Sequence, residues 1–171
     1  AALKPIATAL VATRKTADDL RSLRTQVKDL QSRVSKDDFS DWNTQADELI
    51  KSIDALEAKL IQPKQKTFQD VINFPNQLDA ELAHIYGTIA NQEPPVTDGQ
   101  KAYAADMLKK YETLMNETES VMKSAVSLQQ ALIDQKIPCL AAKEILKLPY
   151  LDENRVAVWG WSGGGSMTLH L

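Results

Sequence analysis

Cysteine, glycine and proline are scarce in this 171-residue sequence, and their scarcity excludes several kinds of protein. The one cysteine, Cys139, cannot form a disulfide within the chain, so a disulfide-stabilised small fold is excluded. The 6 glycines and 7 prolines are too few for a low-complexity or collagen-like chain. Hydrophobic residues make up 43% and charged residues 25%, which is typical of a globular protein.

The sequence also lacks a strong net charge and a long apolar run. Its formal net charge of −3 gives no electrostatic basis for nucleic-acid binding, which favours clustered basic surface. No apolar run approaches the roughly 20 residues that a membrane helix needs. The N-terminus has no basic leader followed by an apolar block, so we expect no signal peptide. We therefore expect neither a nucleic-acid nor a membrane partner.

Four stretches do carry apolar residues at spacings of three and four, which predicts amphipathic helices. The charged residues of the first stretch, among them Arg21 and Arg24, are interpreted as solvated surface. From the short connections we predict a mainly α fold with an up-and-down four-helix bundle over residues 1–138. The apolar stripes span Leu20–Val34, Phe39–Leu60, Leu78–Ile89 and Tyr103–Leu132.

Capping residues and prolines divide these stripes from one another. Ser35 with Asp38 is predicted to cap the second helix, and Thr97 with Gln100 the last one. Between Pro63 and Pro75 we expect a loop with a short helix capped by Thr67 and Asp70. The first two stripes also leave open a coiled coil that recruits a partner helix, and hence helix-mediated self-association.

No residue of the bundle forms a recognisable catalytic or metal motif. His84 has no second ligand at metal-binding spacing, so we interpret it as a packed or surface histidine. We expect no metal and no cofactor.

The region around Pro63 resembles a known segment. Two short motifs are similar to the helical tail that follows the β-propeller in BNR-repeat, sialidase-like or sortilin-like proteins. They are Gln62-Pro63-Lys64-Gln65 and Asp70-Val71-Ile72-Asn73-Phe74-Pro75. The resemblance covers residues 1 to about 138 and implies a scaffold or packing role, without glycosidase catalysis.

The last residues, 139–171, have a different pattern. The sequence predicts a short helix over 141–147, a break at Pro149 and a turn, followed by an apolar strand, Val156–Trp159. The strand enters a Gly-x-Ser-x-Gly turn, which mounts the serine of α/β-hydrolases on a nucleophile elbow. Small residues are needed two positions before and two positions after the serine, where Gly160 and Gly164 stand, and the backbone N–H of the residue after the serine forms half of an oxyanion hole. The alternative to a nucleophile elbow is that this stretch is a glycine-rich tail or linker. The turn is Gly160-Trp161-Ser162-Gly163-Gly164.

This segment resembles the catalytic domain of the prolyl oligopeptidase family, in its dipeptidyl-peptidase-IV-like branch. The resemblance implies Ser162 as nucleophile and Gly163 as an oxyanion donor, in an enzyme that cleaves peptides after a penultimate proline or alanine. It departs from the branch at Gly163, where tyrosine is more common, and at Ser166, where another bulky residue is usual. The matching residues are Asp152, Arg155, Gly160, Trp161, Ser162, Gly164 and Gly165.

In α/β-hydrolases the catalytic acid and histidine follow the serine in the chain. His170 follows Ser162 by only eight residues, so we expect it to lie in the helix that leaves the elbow and to point away from the serine. We therefore expect residues 139–171 to be a truncated α/β-hydrolase fragment that is inactive in this chain. A peptide would be a substrate only if the missing hydrolase part were supplied.

Both resembled families are largely exported, which implies an exported parent. A non-catalytic helical interaction module is the alternative function.

Overall fold

A computed structural model describes residues 3–34, 39–65, 67–92 and 95–134. Four α-helices and one short 3-10 helix, Phe68–Ile72, account for the regular structure of these residues. The mainly α prediction with four helices is therefore confirmed for the described part of the chain. The predicted hydrolase fragment, residues 139–171, lies outside the described residues. The α-helices are α1 (Leu3–Arg33), α2 (Ser40–Leu60), α3 (Leu78–Ala90) and α4 (Asp98–Asp134).

Helix α1 begins 17 residues before the stripe that predicted it. Pro5 is tolerated because it lies in the first turn, where backbone N–H groups have no partner within the helix. After the buried Ile6, small residues occupy the buried positions of this half, namely Ala9, Thr13 and Ala17. The buried Thr13 hydroxyl donates to the Ala9 carbonyl at 2.7 Å, so its polar group is satisfied. At 1.5 Å per residue, α1 is about 46 Å long.

The predicted apolar stripes form one continuous core. In α1, Leu20 and Val27 are buried, whereas Leu30 is 39% exposed. The stripes of α2 and α3 are buried almost without exception, and that of α4 contributes Leu114 and Leu128 together with half-buried side chains. The core of α2 and α3 consists of Trp42, Ala46, Leu49, Ile53, Leu56, Leu60, Leu78, Leu82, Ile85 and Ile89.

Side-chain contacts show that α2 runs antiparallel to both long helices. Along α1, Arg21 contacts Glu57 and Gln31 contacts Asp47, so the numbering of α2 falls as that of α1 rises. Along α4, the Lys59 Nζ lies 2.7 Å from a Glu117 carboxylate oxygen, and the Trp42 indole donates to the Leu128 carbonyl at 3.0 Å. Helices α1 and α4 are therefore parallel to each other.

Helix α3 runs in the same direction as α2, which differs from the up-and-down order. The first turn of α3 lies beside α1, closer to the α1 N-terminus than the contacts of α2 do. There Asp79 is 3.7 Å from Arg14. Glu81 of α3 accepts a hydrogen bond from Tyr103 of α4. Gln92, just beyond the α3 C-terminus, donates to Gln100, which lies closer to the α4 N-terminus, at 3.0 Å. The numbering of α3 therefore falls as that of α4 rises. Helices α2 and α3 thus follow each other end to end and form one interrupted arm. The four helices make a three-armed rod whose arms are α1, α2 with α3, and α4.

The interruption is a folded loop, residues 61–77. The Gln62 side chain donates to the Pro75 carbonyl at 3.2 Å and closes the base of the loop. The backbone N–H of Thr67 donates to an Asp70 carboxylate oxygen at 2.8 Å, and the 3-10 helix begins at the next residue. The short capped helix predicted between the prolines is therefore confirmed.

The two other predicted caps have different outcomes. At the start of α4, the Thr97 N–H donates to the Gln100 side chain at 2.9 Å and the Gln100 N–H donates back to the Thr97 hydroxyl at 3.3 Å. This capping box is confirmed. Helix α2 instead has Phe39 as its N-cap, without a side-chain hydrogen bond. The predicted cap residues, Ser35 and Asp38, lie outside the described residues.

Candidate functional site

All residues of the predicted elbow lie outside the described residues. They comprise the nucleophile Ser162, the oxyanion donor Gly163 and the supporting residues Gly160, Trp161 and Gly164. His170 lies outside them too. What the structure can test is whether the helical part carries a site of its own.

His84 is on α3 and is exposed, as the surface interpretation predicts. Within residues 3–34, 39–65, 67–92 and 95–134 no group of three or more histidine, cysteine, aspartate and glutamate side chains could hold a metal ion. Nor does any helix in this part of the chain combine the length and the apolar character that a membrane span requires.

The most concentrated charges in the rod surround Glu57, whose side chain is 6% exposed. One Glu57 carboxylate oxygen accepts from the Arg21 Nε at 2.6 Å, and the other accepts from the Arg24 Nη1 at 2.7 Å. Arg24 also donates to Asp54 at 2.6 Å, and Arg21 to Asp18 at 3.1 Å. We call these five residues the Glu57 cluster. Its buried carboxylate is fully paired, as a buried charge must be.

The electrostatics of the Glu57 cluster indicate a structural role. The pKa of the Arg21 guanidinium is raised above its usual value, chiefly by the hydrogen bond to Glu57. The pKa of Arg24 is also raised, chiefly by the hydrogen bond to Asp54. Both cations therefore stay charged at every physiological pH and cannot exchange protons with a substrate. The cluster ties α1 to α2.

The sequence interpretation of Arg21 and Arg24 as solvated surface is incomplete. Both side chains keep some exposure, 44% and 28%, but their guanidinium groups reach across to a buried carboxylate. Glu57 directly follows Leu56 of the apolar stripe of α2. This position next to the stripe was the sequence feature from which its burial could have been predicted. A glutamate next to a buried position, with arginines on the facing helix, indicates an interhelical ion pair.

A second polar contact joins α3 to α4. The Tyr103 phenol donates to Glu81, and its pKa is raised to about 12, first by desolvation and then by the Glu81 carboxylate. A phenol with that pKa remains protonated at neutral pH and acts as a donor. Nearby, burial raises the pKa of Asp79 even though Arg14 lies beside it. These groups pair helices and do not converge on a cavity.

The open grooves between α2 and α4 and between α1 and α4 contain no histidine that could activate a serine hydroxyl. The α2–α4 groove measures about 530 Å³, and hydroxyls line it. Ser52 and Ser124 donate to carbonyls of their own helices at 2.9 and 3.2 Å, and no histidine lines the groove. The one lysine there, Lys123, is paired with Glu119 at 2.7 Å. The α1–α4 groove, about 500 Å³, also has no histidine in its lining. A serine nucleophile is commonly activated by an adjacent histidine, and the linings of these two grooves contain none.

Comparison with known proteins finds similarity over a short segment. No protein-family model matches the chain, and no solved structure matches it. The chain is 64% identical over 28 residues to the probable dipeptidyl-aminopeptidase B of Arthroderma otae and to that of Aspergillus oryzae. Each match covers 16% of this chain and 3% of the relative. The corresponding protein of Metarhizium robertsii is 44% identical over 41 residues, 24% of this chain and 4% of the relative.

The chain thus spans about 3–4% of the length of the curated relatives it matches. At that coverage, the similarity supports a relationship to dipeptidyl-aminopeptidases for a short segment of this chain.

Proposed function

We propose that the chain joins a non-catalytic helical scaffold, residues 1–138, to a segment of a serine peptidase of the prolyl oligopeptidase or dipeptidyl peptidase type, residues 139–171. The observation that carries the peptidase part is the 64% identity over 28 residues to dipeptidyl-aminopeptidase B. That length is close to the length of the segment that contains the Gly-x-Ser-x-Gly turn.

In this proposal Ser162 corresponds to the nucleophile of the peptidase. Its Oγ would attack the scissile carbonyl while a general base takes the hydroxyl proton. The base would then give that proton to the leaving amine as the C–N bond breaks, which leaves the acyl-enzyme. The N–H of Gly163 would donate to the developing oxyanion. Gly160, Trp161 and Gly164 would shape the elbow, the two glycines by leaving room for the close approach of backbone.

The proposal also holds that these 171 residues do not catalyse peptide hydrolysis by themselves. The sequence contains two histidines, His84 and His170. His84 is exposed on α3, inside the helical scaffold, and His170 follows Ser162 by eight residues. Without a general base, a serine protease loses several orders of magnitude in rate. A peptide would become a substrate only with the triad partners and the rest of the hydrolase domain in place.

The helical residues support a scaffold role. Their interhelical polar contacts join α1 to α2 and α3 to α4, and in the described part of the chain no buried side-chain N or O atom lacks a partner. The three-armed rod provides a spacer roughly 45–55 Å long by its helix lengths. The resemblance of residues 1 to about 138 to the helical tails of BNR-repeat propeller proteins is an expectation from the sequence alone, and it would imply the same role in an exported parent. Association through the amphipathic helices is part of this proposal.

A peptidase assay tests the proposal. The 171-residue chain is incubated with dipeptidyl p-nitroanilides that carry proline or alanine in the second position, in parallel with its Ser162→Ala variant. We expect the two proteins to release p-nitroaniline at the same background rate. Release by the unaltered chain that disappears in Ser162→Ala would overturn the inactive assignment.

A further inference from the structure

We draw no further inference here: the strongest candidate, the exposed apolar tip that Val71 and Ile72 form on the loop between α2 and α3, carries nothing, because nothing in the structure shows what covers it.

Discussion

At the scale of single residues, Glu57 is where the rod is most sensitive to a change of charge. Glu57→Gln keeps the side chain's size but removes the anion that two arginines face. We expect a loss of about 1–3 kcal/mol in the free energy of unfolding, because Arg21 and Arg24 stay partly solvated after the change. Urea denaturation followed by helical circular dichroism measures it.

The matched control for Glu57 is Asp54→Asn on the same helix. Asp54 also pairs with Arg24, but its side chain is 52% exposed. An exposed ion pair contributes roughly 0–1 kcal/mol, so this variant should unfold at nearly the wild-type urea concentration. Equal destabilisation by the two variants would show that burial of Glu57 does not matter.

Tyr103 gives a second test at this scale, through pH. Its folded pKa of about 12 exceeds the usual value of 10 because the folded state favours the protonated phenol. The corresponding stability is complete below about pH 10 and is lost as the pH rises toward 12. We expect the free energy of unfolding to fall more between pH 9 and pH 11 in the wild type than in Tyr103→Phe. Parallel pH dependences in the two proteins would contradict the raised pKa.

At the scale of elements, the start of α4 depends on its capping box. Thr97→Ala removes the hydroxyl that accepts the Gln100 N–H. The expected cost is about 1 kcal/mol, measured by thermal or urea unfolding. Thr113→Ala is the control, because the exposed Thr113 hydroxyl only bonds back to the Lys109 carbonyl within α4. That change should be neutral or slightly stabilising, and a larger loss at Thr113 than at Thr97 would contradict the cap.

The elements were predictable where large apolar residues mark the buried face. Every third or fourth residue of α2 from Trp42 to Leu60 is apolar, and each of these is buried. The first half of α1 was missed because Ile6 is the one large residue on its buried face, which otherwise consists of Ala9, Thr13 and Ala17. Small residues give a weak periodic signal although they allow close packing.

The direction of α3 could not be read from its own stripe. Periodicity identifies which face of a helix is buried but not which neighbour covers it. The 17-residue connection 61–77 is long enough to carry the chain onward along α1 instead of reversing it. Arg14 and Asp79 then pair at a level of α1 that α2 does not reach.

At the scale of the whole molecule, the sequence divides into two parts with different predictability. The helical part follows from hydrophobic patterning and capping, which are local properties. The short match to dipeptidyl-aminopeptidase B supports a peptidase relationship, and its assignment to the turn around Ser162 is part of the proposed function. A catalytic triad depends on residues that are distant in sequence and meet only in the complete fold, so a local motif predicts the nucleophile and not its partners.

The central claim is that Ser162 is not an activated nucleophile in this chain, and active-site labelling tests it most directly. The 171-residue chain and its Ser162→Ala variant are incubated with a fluorophosphonate probe, and intact mass spectrometry measures the adduct. We predict the same negligible labelling of both proteins, because the proposed function gives the Ser162 hydroxyl no general base. Stoichiometric labelling of the unaltered chain that is absent from Ser162→Ala would contradict the account.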